Sequence, residues 1–260
     1  MSLPPRYEIR PLGEEHEEWA RAICVHTNCF HSPLWSTVYP NNKTERLYAA
    51  FETAKYLITH QINSGHSLGV FDTEYVFKNP ASIPTGGKLY WDTTDKCATE
   101  EQLASQMDFP LVSIAMAYDA IDPLDIAQIE PMIKVLPLFA TVYEKLNTLD
   151  PRDETWKPSA RGQVLMRNAT NTVQKYAGQG LMKAAAEELM RRSAKLGFRA
   201  IQIESASPAV ERVWSKPPEP FRASVVAQFR TEEVEQEQDG GVVNPFEPAR
   251  INIARIFVEL

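Results

Sequence analysis

The sequence predicts an α/β fold, a sheet flanked by helices, and three observations carry that expectation. Residues 162–214 read as strand, glycine turn, helix, strand. A short alternating segment covers residues 7–12, and two further alternating or apolar runs cover residues 221–229 and 251–260.

Taken in order, residues 7–12 alternate like a strand, and Glu14, Glu15, Glu17 and Glu18 then make an acidic helix start. Residues 43–61 place Leu47, Phe51, Ala54, Leu57 and Ile58 on one helical face. Residues 67–72 and 88–92, separated by Pro80, Pro84, Gly86 and Gly87, are short strands that would open an antiparallel sheet with the first. Residues 101–107 and 126–149 read as helical, the second broken by Pro131 and Pro137, while residues 109–118 are apolar and fit helix or strand. Residues 163–170 form a strand. After the glycine turn, Met182, Ala185, Ala186, Leu189 and Met190 share a helical face, and Glu187 with Arg191 and Glu188 with Arg192 are acid-then-base pairs on the other. Gly197 fits the left-handed position past a helix end, and residues 199–204 are the next strand. The acidic loop with Glu232, Glu233, Glu235, Glu237 and Asp239 reads as a solvated connection.

Composition narrows the function. A chain of 260 residues can bury one sizeable core or two smaller ones. With no run of about 18 apolar residues and no signal-peptide core, the sequence points away from membranes and to a cytoplasmic address. Three cysteines, Cys24, Cys29 and Cys97, cannot all pair within one chain, which suits a reducing compartment. A net charge of −7 with no basic cluster argues against nucleic acid and is compatible with a small cationic substrate. Cys24, His26, Cys29 and His31 do not match the usual zinc spacings, so no metal is expected.

The chemistry centres on the glycine turn. Backbone N–H groups at a helix start lack intrahelical acceptors, and with the positive end of the helix dipole they suit a phosphate. Gly178 and Gly180 carry no side chain to hold an anion away. A dinucleotide fingerprint would need glycine where Lys183 stands, although Glu204 could serve as a ribose ligand, and the Gly-Lys-Ser/Thr of a nucleotide-triphosphate loop is absent.

A third pattern is a resemblance. Tyr176-Ala177-Gly178-Gln179-Gly180-Leu181, the long helix, Gly197, the strand to Glu204 and then the segment from Ser207 to Lys216 resemble the GNAT superfamily of N-acetyltransferases. The family's Gln/Arg-x-x-Gly-x-Gly/Ala signature falls on Lys175, Gly178 and Gly180, or on Ala177, Gly180 and Met182. Its Asn-x-x-Ala-x-x-x-Tyr-x-Lys pattern meets Ser207, Val210, Trp214 and Lys216.

The resemblance implies one domain over residues 1–260 with a mixed, mostly antiparallel central sheet flanked by helices, the acyl-CoA N-acyltransferase fold, and a helical insertion at about residues 93–160 that either shapes the acceptor pocket or packs on the sheet. It implies an enzyme that moves an acetyl or similar acyl group from acetyl-coenzyme A to the amine of a small molecule. By that resemblance, backbone at Thr170 and Thr172 meets the thioester and pantetheine arm, and Ala177, Gly178, Gln179, Gly180, Leu181 and Met182 hold the pyrophosphate. Lys175 and Lys183 could add positive charge, and Ser207 and Trp214 complete the cofactor set. Trp214 stands where many members carry a tyrosine acid, and an indole N–H does not titrate. Glu204 is the candidate base, as a strand-end carboxylate beside the crevice. A protein that binds coenzyme A without turnover and an NAD-dependent oxidoreductase are the alternatives.

Overall fold

The computed structural model describes residues 3–238 and 240–260. Seven strands form the central sheet: β1 (Tyr7–Pro11), β2 (Leu68–Asp72), β3 (Leu111–Asp119), β4 (Val164–Thr172), β5 (Ala200–Ser205), β6 (Arg222–Arg230) and β7 (Asn252–Glu259). Their spatial order is β1-β2-β3-β4-β5-β7-β6. Every neighbouring pair is antiparallel except β4 and β5, which the intervening helix makes parallel. The sheet is therefore mixed and mostly antiparallel.

Among the described residues nine α-helices complete the framework: α1 (Glu17–Phe30), α2 (Trp35–Val38), α3 (Lys43–Thr53), α4 (Lys55–Asn63), α5 (Glu100–Ser105), α6 (Ile126–Val135), α7 (Leu138–Leu149), α8 (Leu181–Lys195) and α9 (Pro208–Trp214). One core packs α1, α3 and α4 against Phe71, Leu111, Ile114 and Met116. A second packs Leu181, Ala185, Leu189 and Met190 of α8 and Trp214 of α9 against the other face, through Val70, Ala115, Leu165, Ile203 and Ile256. None of the helices is long and apolar enough to cross a membrane, among the described residues.

Three expectations change. Residues 88–92 do not join the central sheet, because Lys88–Leu89 pairs only with Met107–Asp108 in a separate two-stranded ribbon. The partner of β2 is β3, which lies inside the stretch read as an insertion. Because β3 is buried at every position and covered on both faces, it shows a continuous apolar run instead of alternation. Within that stretch α5 and the Met107–Asp108 strand before it, and α6, α7 and a 3-10 turn at Glu154–Trp156 after it, lie outside the sheet. The predicted helix over residues 43–61 is two helices, with Ala54 ending α3 and starting α4. Asp239 of the acidic loop lies outside the described residues.

Candidate functional site

The parallel strands β4 and β5 pair only from Val164 with Ala200 to Arg167 with Ile203. Beyond that point β4 stays with β3 and β5 with β7, so a wedge opens in the middle of the sheet. A β-bulge marks the opening. Ala117 faces Arg167 and Met116 faces Ala169, leaving Asn168 without a partner on β3. After the bulge the Val173 N–H donates to Val112. Successive residues of a strand turn their N–H groups to opposite sides, so those of Thr172 and Thr170 point away from β3 and into the wedge. Thr172 Oγ1 is taken by Ser113 Oγ at 2.7 Å, whereas Thr170 Oγ1 is buried without a partner among the described residues.

The glycine turn leads from β4 into α8. Gly178 and Gly180 sit at φ +78° and +79°, the left-handed region where a side chain is strained. Gly180 is the residue before the first turn of α8, with no side chain capping it, and the N–H groups of Gly178 to Lys183 reach no acceptor among the described residues. The turn is exposed at Ala177, Gly178, Gln179 and Gly180. The start of α8 thus carries free amides on an exposed turn, the kind of group that suits an anion.

The turn is held from behind. Buried Tyr176 donates its hydroxyl to Asp72 Oδ2 at 3.1 Å, and Arg6 grips both oxygens of the same carboxylate at 2.7 and 2.6 Å. Burial alone would raise the Asp72 carboxyl, but the hydrogen bonds from Arg6, the Glu74 amide and Tyr176 hold it below the usual range. Tyr7 donates to Gln179 Oε1 at 2.6 Å, and its ring meets Tyr176 edge to face. Lys175 and Lys183 are exposed, the latter 3.8 Å from Glu187.

At the wedge a cavity of about 140 Å³ is lined by Arg167 to Asn171 of β4, by Glu204 and Ser205 of β5 and by residues of α1, α3, α6 and α7. Glu204 accepts from Arg255 Nε at 3.1 Å and from Gln202 Nε2 at 3.2 Å, both on Oε1. Burial raises the Glu204 carboxyl, and the Arg255 guanidinium only partly offsets this. Arg255 also bonds Asp150 and Asn147, and Asp150 is held at about 2, chiefly by its hydrogen bond from Arg152. Tyr143, on the same cavity, accepts from Asn168 Nδ2 at 2.8 Å and is pushed well above the usual phenol range by burial. Its proton stays in place, as a hydrogen-bond donor requires.

Other residues singled out in the sequence lie apart. Ser207 precedes α9 and accepts through its carbonyl from Ser205 Oγ. Trp214 is wholly enclosed, with its indole N–H unpaired among the described residues, so it offers no surface to a ligand. The Cys/His segment splits in two. Cys24 and Cys29 line the cavity as buried thiols, both pushed up to about 12 by burial, while His26 and His31 turn to Glu100, with His31 Nε2 at 3.0 Å from Oε1. Arg167 and Tyr143 belong to no motif in the sequence, and Asn168 stands only in the Asn168-Ala169-Thr170 sequon. Their spacing carries no motif, and only the wedge brings them together.

No family model and no curated protein sequence matches the chain. Solved structures do. The C-terminal condensation domain of Ebony, in complex with beta-alanyl-dopamine, aligns over 98% of this chain and 99% of its own at a TM-score of 0.63 and 15% identity. Arylalkylamine N-acetyltransferase 2 from Aedes aegypti covers 98% of each chain at 0.56 and 10% identity. The fold is that of the GNAT acetyltransferases. The Drosophila melanogaster polyamine N-acetyltransferase shares this GNAT fold over 98% of the present chain and all of its own, at 0.54 and 12% identity. The parted β4 and β5 and the bare start of α8 are where the GNAT-like segment of the sequence falls.

Proposed function

We propose that the protein is an acyl-coenzyme A-dependent N-acyltransferase that moves an acetyl or similar acyl group to the amine of a small molecule. The observation that carries this reading is the run of unbonded amides from Gly178 to Lys183 beside the wedge between β4 and β5. In this reading Ala177, Gly178, Gln179, Gly180, Leu181 and Met182 hold the pyrophosphate, with Lys175 adding charge. Ser207 completes the cofactor wall, and Trp214 enters only as packing. The N–H groups of Thr170 and Thr172 take up the pantetheine arm and the thioester. Two proteins of the same fold are named for arylalkylamine and polyamine acetylation, which supports an amine acceptor here.

The amine lone pair attacks the thioester carbon, an N–C bond forms and the C–S bond breaks. Of the two protons the ammonium loses, one ends on the thiol and one passes to solvent. Glu204 is the first receiver, directly or through water, and a carboxyl raised by burial is a stronger base than an ordinary glutamate. Coenzyme A leaves tolerably as thiolate, since a thiol has a pKa of about 8.5.

A thermal-shift panel tests the reading. A ligand at 100 times its dissociation constant stabilises a fold by about 2.7 kcal/mol, so acetyl-coenzyme A should raise the melting temperature and NAD should not. A shift with NAD alone would overturn it. The second reading, binding without turnover, is favoured by the enclosed Trp214 and by the grip of Arg255 on Glu204. Release of thiol from acetyl-coenzyme A across an amine panel separates the two.

A further inference from the structure

Two arginines of the central sheet are equally buried and differently treated. Arg255 is 4% exposed and bonds Glu204, Asp150 and Asn147. Arg167 is 3% exposed and lines the cavity, yet its Nε is unpaired and its guanidinium has no ion pair or hydrogen bond among the described residues. The face of Trp214 lies 5.7 Å from the guanidinium carbon, and the Glu204 carboxyl and Tyr143 favour the charge through space without bonding it. A lone buried ion is expensive, several kcal/mol even after relaxation, and buried polar groups left unpaired in a folded protein call for an explanation. Thr170 Oγ1, unpaired on the same cavity, is a second such group.

What would pair with Arg167 follows from its surroundings. A planar guanidinium matches a carboxylate two bonds at a time. The diphosphate of a cofactor is already served by the amides at α8, outside this cavity. Glu204 stands on the same cavity and suits an ammonium or amine. The rest of the lining is largely apolar, with Val25, Leu57, Met132, Phe139 and Val142, and a cavity of about 140 Å³ resembles in size the roughly 150 Å³ cavity that admits benzene.

We propose that Arg167 binds the carboxylate of the acceptor, and that the acceptor is an amino acid with an apolar side chain, its nitrogen turned to Glu204. This rests on the N-acyltransferase reading and adds the substrate class.

Calorimetry on the full chain with coenzyme A present tests it. Leucine, phenylalanine and tryptophan are compared with their decarboxylated counterparts isoamylamine, phenethylamine and tryptamine, and with hydrocinnamate, which keeps the carboxylate and lacks the amine. A hydrogen-bonded charge pair supports a preference of at least about tenfold for one or more of the amino acids over its amine. In Arg167→Gln that preference and hydrocinnamate binding should both disappear, while the ligand-free chain should still melt cooperatively, because the side chain removed makes no hydrogen bond or ion pair among the described residues. Equal binding of amines and amino acids by the native chain, or no binding of any amino acid, would overturn the proposal without any variant. So would a preference that survives Arg167→Gln. If the variant instead loses succinyl-coenzyme A selectively over acetyl-coenzyme A and keeps the amino acids, the carboxylate belongs to the acyl group and the acceptor assignment fails. Amino acids that bind without thiol release would remove the acyltransferase reading and leave the site. Thiol release with plain amines alone would do the reverse.

Discussion

The hydroxyl of Tyr176, just ahead of α8, donates to the carboxylate of Asp72 at the end of β2, across 104 positions of chain and 3.1 Å of space. That bond fixes where the amides at the start of α8 point. Tyr176→Phe should cost about 1.5 kcal/mol, the low end for a bond to a charged group because Arg6 still holds Asp72, and should weaken acetyl-coenzyme A binding. Melting and calorimetry read the two effects. Unchanged affinity would mean the turn keeps its shape without the bond.

Asp72 has a pH signature of its own. Its folded carboxyl lies below the ordinary value of about 3.9, so its contribution is fully present above that value and is lost as pH falls through the folded one. Asp72→Asn should therefore lower stability at neutral pH and flatten the acid limb of the melting profile. A variant whose profile runs parallel to that of the native chain down to pH 3 would contradict this.

Gly180 stands at φ +79° with nothing near the place of a Cβ, so strain and not collision governs its replacement. Gly180→Ala should lose about 1–2 kcal/mol to the left-handed backbone. At about 2–4 °C per kcal/mol for a chain approaching this size, the loss is measurable in a melting curve. The methyl group would also stand among the exposed amides, so affinity for acetyl-coenzyme A should drop more than affinity for an acceptor amine.

Glu204 accepts a proton only when ionised, and burial moves its carboxyl upward. Activity should rise with pH along a limb placed above that of an ordinary glutamate. Glu204→Gln should remove the limb and lower kcat by about 10²- to 10⁴-fold, the usual worth of a positioned base. A limb that persists in the variant would assign the proton to another group.

Arg255 sets the height of that limb. Arg255→Met leaves Glu204 and Asp150 without their buried partner, a loss of about 3–5 kcal/mol. Since Arg255 holds the Glu204 carboxyl down, its removal should shift the surviving activity limb to higher pH, and a shift to lower pH would rule out the pairing as the cause.

Local order was legible wherever a residue's neighbours in sequence are also its neighbours in space. The glycine turn, the apolar face of α8 and the strands β1, β2, β4, β5, β6 and β7 declared themselves through period and turn chemistry, and with them the bare start of α8. Covered on both faces, β3 hid the period that would have named it. The wedge depended on where β4 and β5 stop pairing, and no single segment encodes that. Whether a charged side chain is compensated is likewise a matter of long-range placement. Arg255 finds Asp150 and Asn147 more than a hundred residues away, while Arg167 is buried with no bonded partner among the described residues, and one-dimensional spacing does not tell the two arginines apart.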